Sequence, residues 1–136
     1  MRDFTKESQV IAFLEETLKK IPGPLYWHKF SLRYVSGFPD LLVCYRERVT
    51  FYEVKVFRKN FVHSLNQFEP LQHATLSRIA AAGIGAYGLV VKNRSEAWIC
   101  QPNGSSWTTF NVNCFEKRLS LHPLEPWLGL EDPALL

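Results

Sequence analysis

Residues 37–57, GFPDLLVCYRERVTFYEVKVF, decide the fold. Two β-rich, largely apolar runs, Asp40 to Tyr45 and Val49 to Phe57, are joined by the polar Arg46-Glu47-Arg48 and preceded by the turn Ser36-Gly37-Phe38-Pro39. Both runs are apolar on both faces, the pattern of strands covered in the middle of a sheet. Paired as a hairpin centred on Arg46-Glu47, they bring Asp40 directly opposite Glu53. Opposed Cβ atoms are about 4.5–5.5 Å apart, and like charges so placed destabilise a sheet. Something cationic belongs between them. Lys55, two residues beyond Glu53, projects from the same face.

Charges in a buried strand are costly unless partnered. From the residues alone, two arrangements answer that cost: a salt-bridge cluster or wet-faced edge strand, and a site for a hard divalent cation. Mg²⁺ and Mn²⁺ prefer carboxylate and carbonyl oxygens and keep several waters, which leaves an open, hydrolytic coordination sphere.

Upstream, Thr5 to Ile21 reads as a helix, with Val10, Ile11, Leu14, Leu18 and Ile21 at helical spacing and a stop at Pro22-Gly23-Pro24. Glu7 falls in the middle of its apolar stripe, either turned toward the sheet or serving as a first-turn carboxylate favoured by the helix dipole. Glu15 and Glu16 fall on the rim and the solvent face. A strand is expected around Tyr26 to Val35.

Downstream, Arg58 to Gln67 reads as a polar, basic loop, and Pro70 opens a helix that runs to Ala82 and closes at Gly83. Gln72 lies within about 40° of Leu76 and Ile79 on that helix. It is either a member of the buried face or a helix-entry amide bonding free backbone groups. Ile84 to Lys92 is another buried strand, and Ala97 to Gln101 and Trp107 to Val112 flank a hairpin turn, Pro102 to Ser106, longer than two residues. The order α-β-β-β-α-β-β-β gives an α/β domain with one central mixed sheet flanked by helices.

At 136 residues and 46% apolar content the chain fits one domain, residues 1–136, with a core over about 5–112 and an extended segment over 113–136. Its last sixteen residues hold three of the eight prolines. No apolar stretch approaches the roughly 20 residues of a membrane span, and the N-terminus lacks a signal core, so a cytoplasmic location is expected. Cys44, Cys100 and Cys114 stand far apart and read as buried free thiols. The net charge of +3 identifies no partner, but its distribution is uneven: residues 1–63 carry +4 and residues 64–136 carry −1.

Gly37-Phe38-Pro39-Asp40 followed at distance by Glu53-Val54-Lys55 resembles the PD-(D/E)xK nuclease signature. Phe68-Glu69-Pro70-Leu71-Gln72, the helix, Gly83 and the strand Ala86 to Val91 extend the likeness over residues 7–92. It is similar to the Holliday-junction-resolvase-like branch and to the small VRR-NUC nucleases. The resemblance implies a restriction-endonuclease-like domain and a metal-dependent endonuclease acting on branched DNA, a junction resolvase first, with a flap or end nuclease or an inactive DNA-binding module of the same fold as alternatives.

It implies Asp40, Glu53, the Val54 carbonyl and Glu7 as metal ligands, Lys55 for the attacking water and scissile phosphate, and Gln72 to place Lys55 or substrate. Mg²⁺, replaceable by Mn²⁺, is the expected cofactor, one ion or two. A homodimer is expected if two symmetrical strands are cut. Lys29 and Arg33, with His28, and Arg58, Lys59, Asn60 and His63 after the central strand are candidate phosphate contacts. Tyr26, Trp27 and Phe61 are candidates for stacking on splayed bases.

Overall fold

The structure, a computed structural model, describes residues 1–30 and 37–123. Arg33, the second half of the strand expected to reach Val35, and the tail from residue 124 lie outside the described residues. The elements are α1 (Glu7–Lys19), β1 (Leu25–Lys29), β2 (Leu41–Tyr45), β3 (Arg48–Val56), α2 (Phe61–Leu65), α3 (Pro70–Ala81), β4 (Gly85–Val91), β5 (Glu96–Asn103), β6 (Ser106–Asn113) and α4 (Phe115–Leu121). The strands form one mixed six-stranded sheet in sequence order. Only the central β3 and β4 run parallel; the other neighbours are antiparallel. The α/β architecture and the central mixed sheet are as the sequence predicts, with two added helices.

The β2–β3 hairpin has the expected register, with Leu41 opposite Tyr52 and Tyr45 opposite Arg48. Its two loop residues, Arg46 (φ 50°) and Glu47 (φ 63°), are both left-handed. That geometry matches the twist of the flanking strands, and a turn so short leaves the pairing no slack. A one-residue slip would send every β3 side chain to the other face.

Alternation along β3 then divides the chemistry. Tyr52, Val54 and Val56 join the main core with Val10, Leu14 and Leu18 of α1 and Phe115 and Leu119 of α4. Each such side chain contributes roughly 1.5–3 kcal/mol of burial. Phe51, Glu53, Lys55 and Phe57 take the opposite face, where a smaller cluster of Phe68, Val90 and Cys100 is edged by Phe61, Leu65, Trp98 and Trp107.

Gly88 sits beside Glu53 in the parallel ladder. A Cβ there would lie 2.5 Å from Cζ of Phe68 and 2.8 Å from its Cε1. The glycine therefore admits a phenyl ring against the sheet next to Glu53. Gly88→Ala is expected to cost about 1–3 kcal/mol, as overpacking does. An unchanged urea midpoint would show that the ring has room to move.

Several expectations are corrected. Arg58 to Gln67 is not all loop, since α2 occupies its middle with Asn60 as its cap. Residues 113–136 are not all extended, because α4 follows β6 and buries Phe115 and Leu119 in the main core. The β5–β6 loop is two residues, not longer: Asn103 pairs with Ser106, and Gly104 takes φ 61°. Of the three thiols only Cys100 is buried; Cys44 is half-buried and Cys114 exposed. Among the described residues no helix is long and apolar enough to cross a membrane.

Candidate active site

Asp40 immediately precedes β2, and its main chain ties three strands. Its N–H donates to the Tyr52 carbonyl at 2.9 Å, and its carbonyl accepts the Phe30 N–H at 2.8 Å. Its carboxylate Oδ2 accepts the Val54 N–H at 2.8 Å, which holds the side chain against β3. The N–H and C=O of a strand residue project to the same edge. The Val54 carbonyl therefore faces the side where β2 has not yet begun, beside Asp40.

Glu53 is only 4% exposed. Its Oε1 accepts a 3.1 Å hydrogen bond from the Gln72 amide and lies 3.8 Å from the Lys55 ammonium. Its Oε2 is buried without a hydrogen-bond partner. Burial first, then the closeness of the Asp40 carboxylate, push the Glu53 carboxyl up to about 9, against the pull of Lys55. Two occupants satisfy such an oxygen: a proton shared with Asp40, or a cation lying between the two carboxylates.

Lys55 lies between Glu53 and Glu7, whose Oε1 is 3.9 Å from Nζ. Phe68, seated in the space that Gly88 leaves, puts its ring 5.9 Å from the same ammonium. Glu7 is on the inward stripe of α1 as read from sequence, yet its side chain remains 48% exposed. It occupies the first turn, where the helix overhangs the site instead of the core. Its carboxyl is raised by burial foremost and by Asp40, and lowered by Lys55 and Arg58.

Gln72 fulfils both of its sequence readings with opposite ends of one amide. Its Oε1 accepts the Glu69 N–H at the helix start, and its Nε2 donates to Glu53. It is part-buried at the rim, not inside the core.

The fold thus brings Glu7, Asp40, Glu53, Val54, Lys55 and Gln72 together from α1, the start of β2, β3 and α3. Among the described residues no three His, Cys, Asp or Glu side chains form a ready-made metal cage. Mg²⁺ commonly takes one or two carboxylates and completes its sphere with waters. Asp40, Glu53 and the Val54 carbonyl fit that requirement, and the unpartnered buried oxygen of Glu53 is the feature that a cation would satisfy.

The peripheral candidates divide. Lys29 is exposed at the end of β1, paired with Leu41 and so close to Asp40 along the backbone; His28 is exposed on the same strand. Arg58, Lys59 and His63 are exposed after β3. The Arg58 side chain is directed inward, donating to Gln67 Oε1 and the Thr5 carbonyl. The Asn60 side chain caps α2 by accepting the His63 N–H, so its amide oxygen is occupied. Trp27 donates to Glu15, which is therefore not a solvated charge, and Phe61 stacks on Trp98; of the stacking candidates only Tyr26 stands out at 58% exposure. Cover of Lys55 by Phe68 was not read from the sequence. Its only trace there is the pairing of an aromatic with a strand glycine, Gly88.

No family model matches the chain, and no curated protein matches it. Among solved structures it is similar to Hjc, a Holliday junction resolvase from the archaeal hyperthermophile Archaeoglobus fulgidus. That likeness has 15% identity, covers 79% of this chain and 83% of the other, and has a TM-score of 0.41.

Proposed function

We propose that the chain is a metal-dependent DNA endonuclease that hydrolyses phosphodiester bonds in branched DNA, a Holliday junction resolvase in the first instance. One observation carries this reading: two carboxylates and an ammonium converge on the covered face of the central strand, and a buried Glu53 oxygen has no partner. The resemblance of the motif to junction-resolving nucleases supplies the branched substrate.

Asp40, Glu53 and the Val54 carbonyl hold a divalent cation, with Glu7 reaching it directly or through water. When bound, such a cation neutralises a phosphate oxygen and lowers the pKa of a water. Lys55, held from either side by Glu53 and Glu7, orients the attacking water and stabilises charge gathering on the scissile phosphate. Gln72 keeps Glu53 turned toward Asp40. Lys29, Lys59 and His63 contribute phosphate contacts, which give affinity without reading sequence. Two copies acting together cut symmetrical strands.

The test is cleavage of labelled four-way junction, flap, single-stranded and linear duplex DNA in Mg²⁺, Mn²⁺ or EDTA. Cutting of the junction with either metal, and none in EDTA, is the expected result. Preference for flaps or ends assigns the chain to structure-specific nucleases of the other kind. Binding without metal-dependent cutting of any substrate overturns the enzymatic reading in favour of a binding module.

A further inference from the structure

We propose that the connection after the central strand, Arg58 to His63, is a rigid wedge whose Val62 enters an open base step at a DNA branch point while Lys59 and His63 hold the flanking phosphates. The inference rests on the nuclease reading above and specifies how the substrate is engaged.

The backbone here is built with unusual tightness. Asn60 N–H donates to the Arg58 carbonyl at 2.7 Å across Lys59, which has φ 62°. A three-residue turn of this hand is rare and strained, and such strain persists only where the surroundings over-determine it. Ser64, with no exposed surface, supplies that determination. Its hydroxyl accepts the Arg58 N–H at 2.7 Å and donates to the Asn60 carbonyl at 2.8 Å. The Gln67 amide bonds the Val56 carbonyl at 2.7 Å and the Ser64 carbonyl at 3.0 Å, fastening the far end of the connection to the end of β3.

The outward side is the reverse of this pinned inner side. Phe61 turns inward onto Trp98, at 5.2 Å between ring centroids, whereas Val62 is 68% exposed. A single exposed valine is ordinary by itself. Here it is a side chain stiff at χ1, presented on backbone that cannot yield, seven residues beyond Lys55. Unstacking a base step costs a few kcal/mol, so a wedge must be stiffer than the step it opens. The charge fits the same occupant. Between Glu53 and Glu69 there is no carboxylate, while Lys55, Arg58, Lys59 and His63 all fall in that interval. Of these, Lys59 and His63 are exposed beside Val62, while Lys55 and Arg58 are engaged further in; a polyanion with an apolar interior at its open end matches an apolar tip flanked by a lysine and an imidazole and free of carboxylates.

The experiment uses forked DNA with 2-aminopurine at the branch-point step, in Ca²⁺ in place of Mg²⁺, with fluorescence and anisotropy read on the same sample. Wild-type protein is expected to raise the fluorescence about twofold or more as the step opens. Val62→Ala is expected to bind but lose the rise, and Val62→Leu to keep it. Lys59→Gly preserves the turn and is expected to reduce the salt dependence of binding by about one phosphate contact. A wild-type rise that Val62→Ala reproduces, or a bound wild type with no rise, overturns the wedge. If that same protein still cuts the fork in Mg²⁺, the nuclease reading survives; if it neither binds nor cuts any DNA, both fail.

Discussion

Lys55→Ala is expected to lower junction cleavage by about 10³-fold or more while leaving DNA affinity within a few-fold of wild type. The ammonium is held between Glu53 and Glu7, at 3.8 and 3.9 Å. Removing it takes away charge stabilisation where negative charge builds during hydrolysis, a contribution that gains strength because the Lys55 and Glu53 side chains are themselves largely buried. Affinity depends instead on exposed cations outside this cluster. Asp40→Asn should give the same loss for a different reason, since an amide oxygen is a weak substitute for a carboxylate toward a hard cation. Folding is expected to survive both changes, because Tyr52, Val54 and Val56 secure the strand from the opposite face. Single-turnover cleavage, anisotropy and thermal melts on one preparation test the set. Unfolding of both variants would mean that the cluster is a structural salt bridge.

Glu53→Gln is expected to abolish cutting and yet stabilise the metal-free protein. The folded carboxyl titrates near 9 against an ordinary value of 4.5, so between those values the folded state binds a proton that the unfolded state does not. The sign follows: stability falls as pH rises from about 4.5 toward 9 and levels off above. Glutamine carries no such penalty and has an N–H to offer Asp40. The gain at pH 8 should be of order 1–3 kcal/mol, the usual cost of a poorly satisfied buried polar group. At roughly 3–5 °C per kcal/mol for a chain of this size, the melting temperature rises by roughly 3–15 °C.

At pH 5 the difference should shrink toward zero. Millimolar Mg²⁺ or Mn²⁺ should raise the wild-type melting temperature and leave the variant's unmoved, because a ligand stabilises only the state that binds it. A variant that melts below wild type at pH 8 in EDTA would show that Glu53 is satisfied without proton or metal. The result would also be an instance of a site kept at the expense of stability, the usual trade at functional positions.

The paired strands were legible because register and face follow from alternation alone. Once Arg46-Glu47 is taken as a two-residue turn, Asp40, Glu53 and Lys55 are forced into proximity, and the structure has them there. The α1 stripe was legible in the same way, down to the inward Glu7. What alternation does not encode is depth. Glu7 lies on the buried stripe yet is half-exposed, because the first turn of α1 extends past the sheet. Helix α2 was missed because five residues are too few for a period to emerge: Phe61 and Leu65 make a single i, i+4 pair within a polar, basic stretch, and the helix is fixed by a cap and by one buried serine. Helix α4 was missed because Phe115 and Leu119 stand in a stretch of too few residues for a period to emerge.

By itself the sequence determined which side chains share a face of the central strands and which of them are out of place in an apolar run. Those are consequences of a two-residue repeat and a short turn, both local. Only the tertiary structure decided what surrounds them: that Gln72 reaches Glu53, that Phe68 covers Lys55 through the gap at Gly88, and that one Glu53 oxygen is left without a partner. Those depend on how α1 and α3 sit against the sheet, and docking is set by the shapes of many distant side chains, which no short stretch of sequence records.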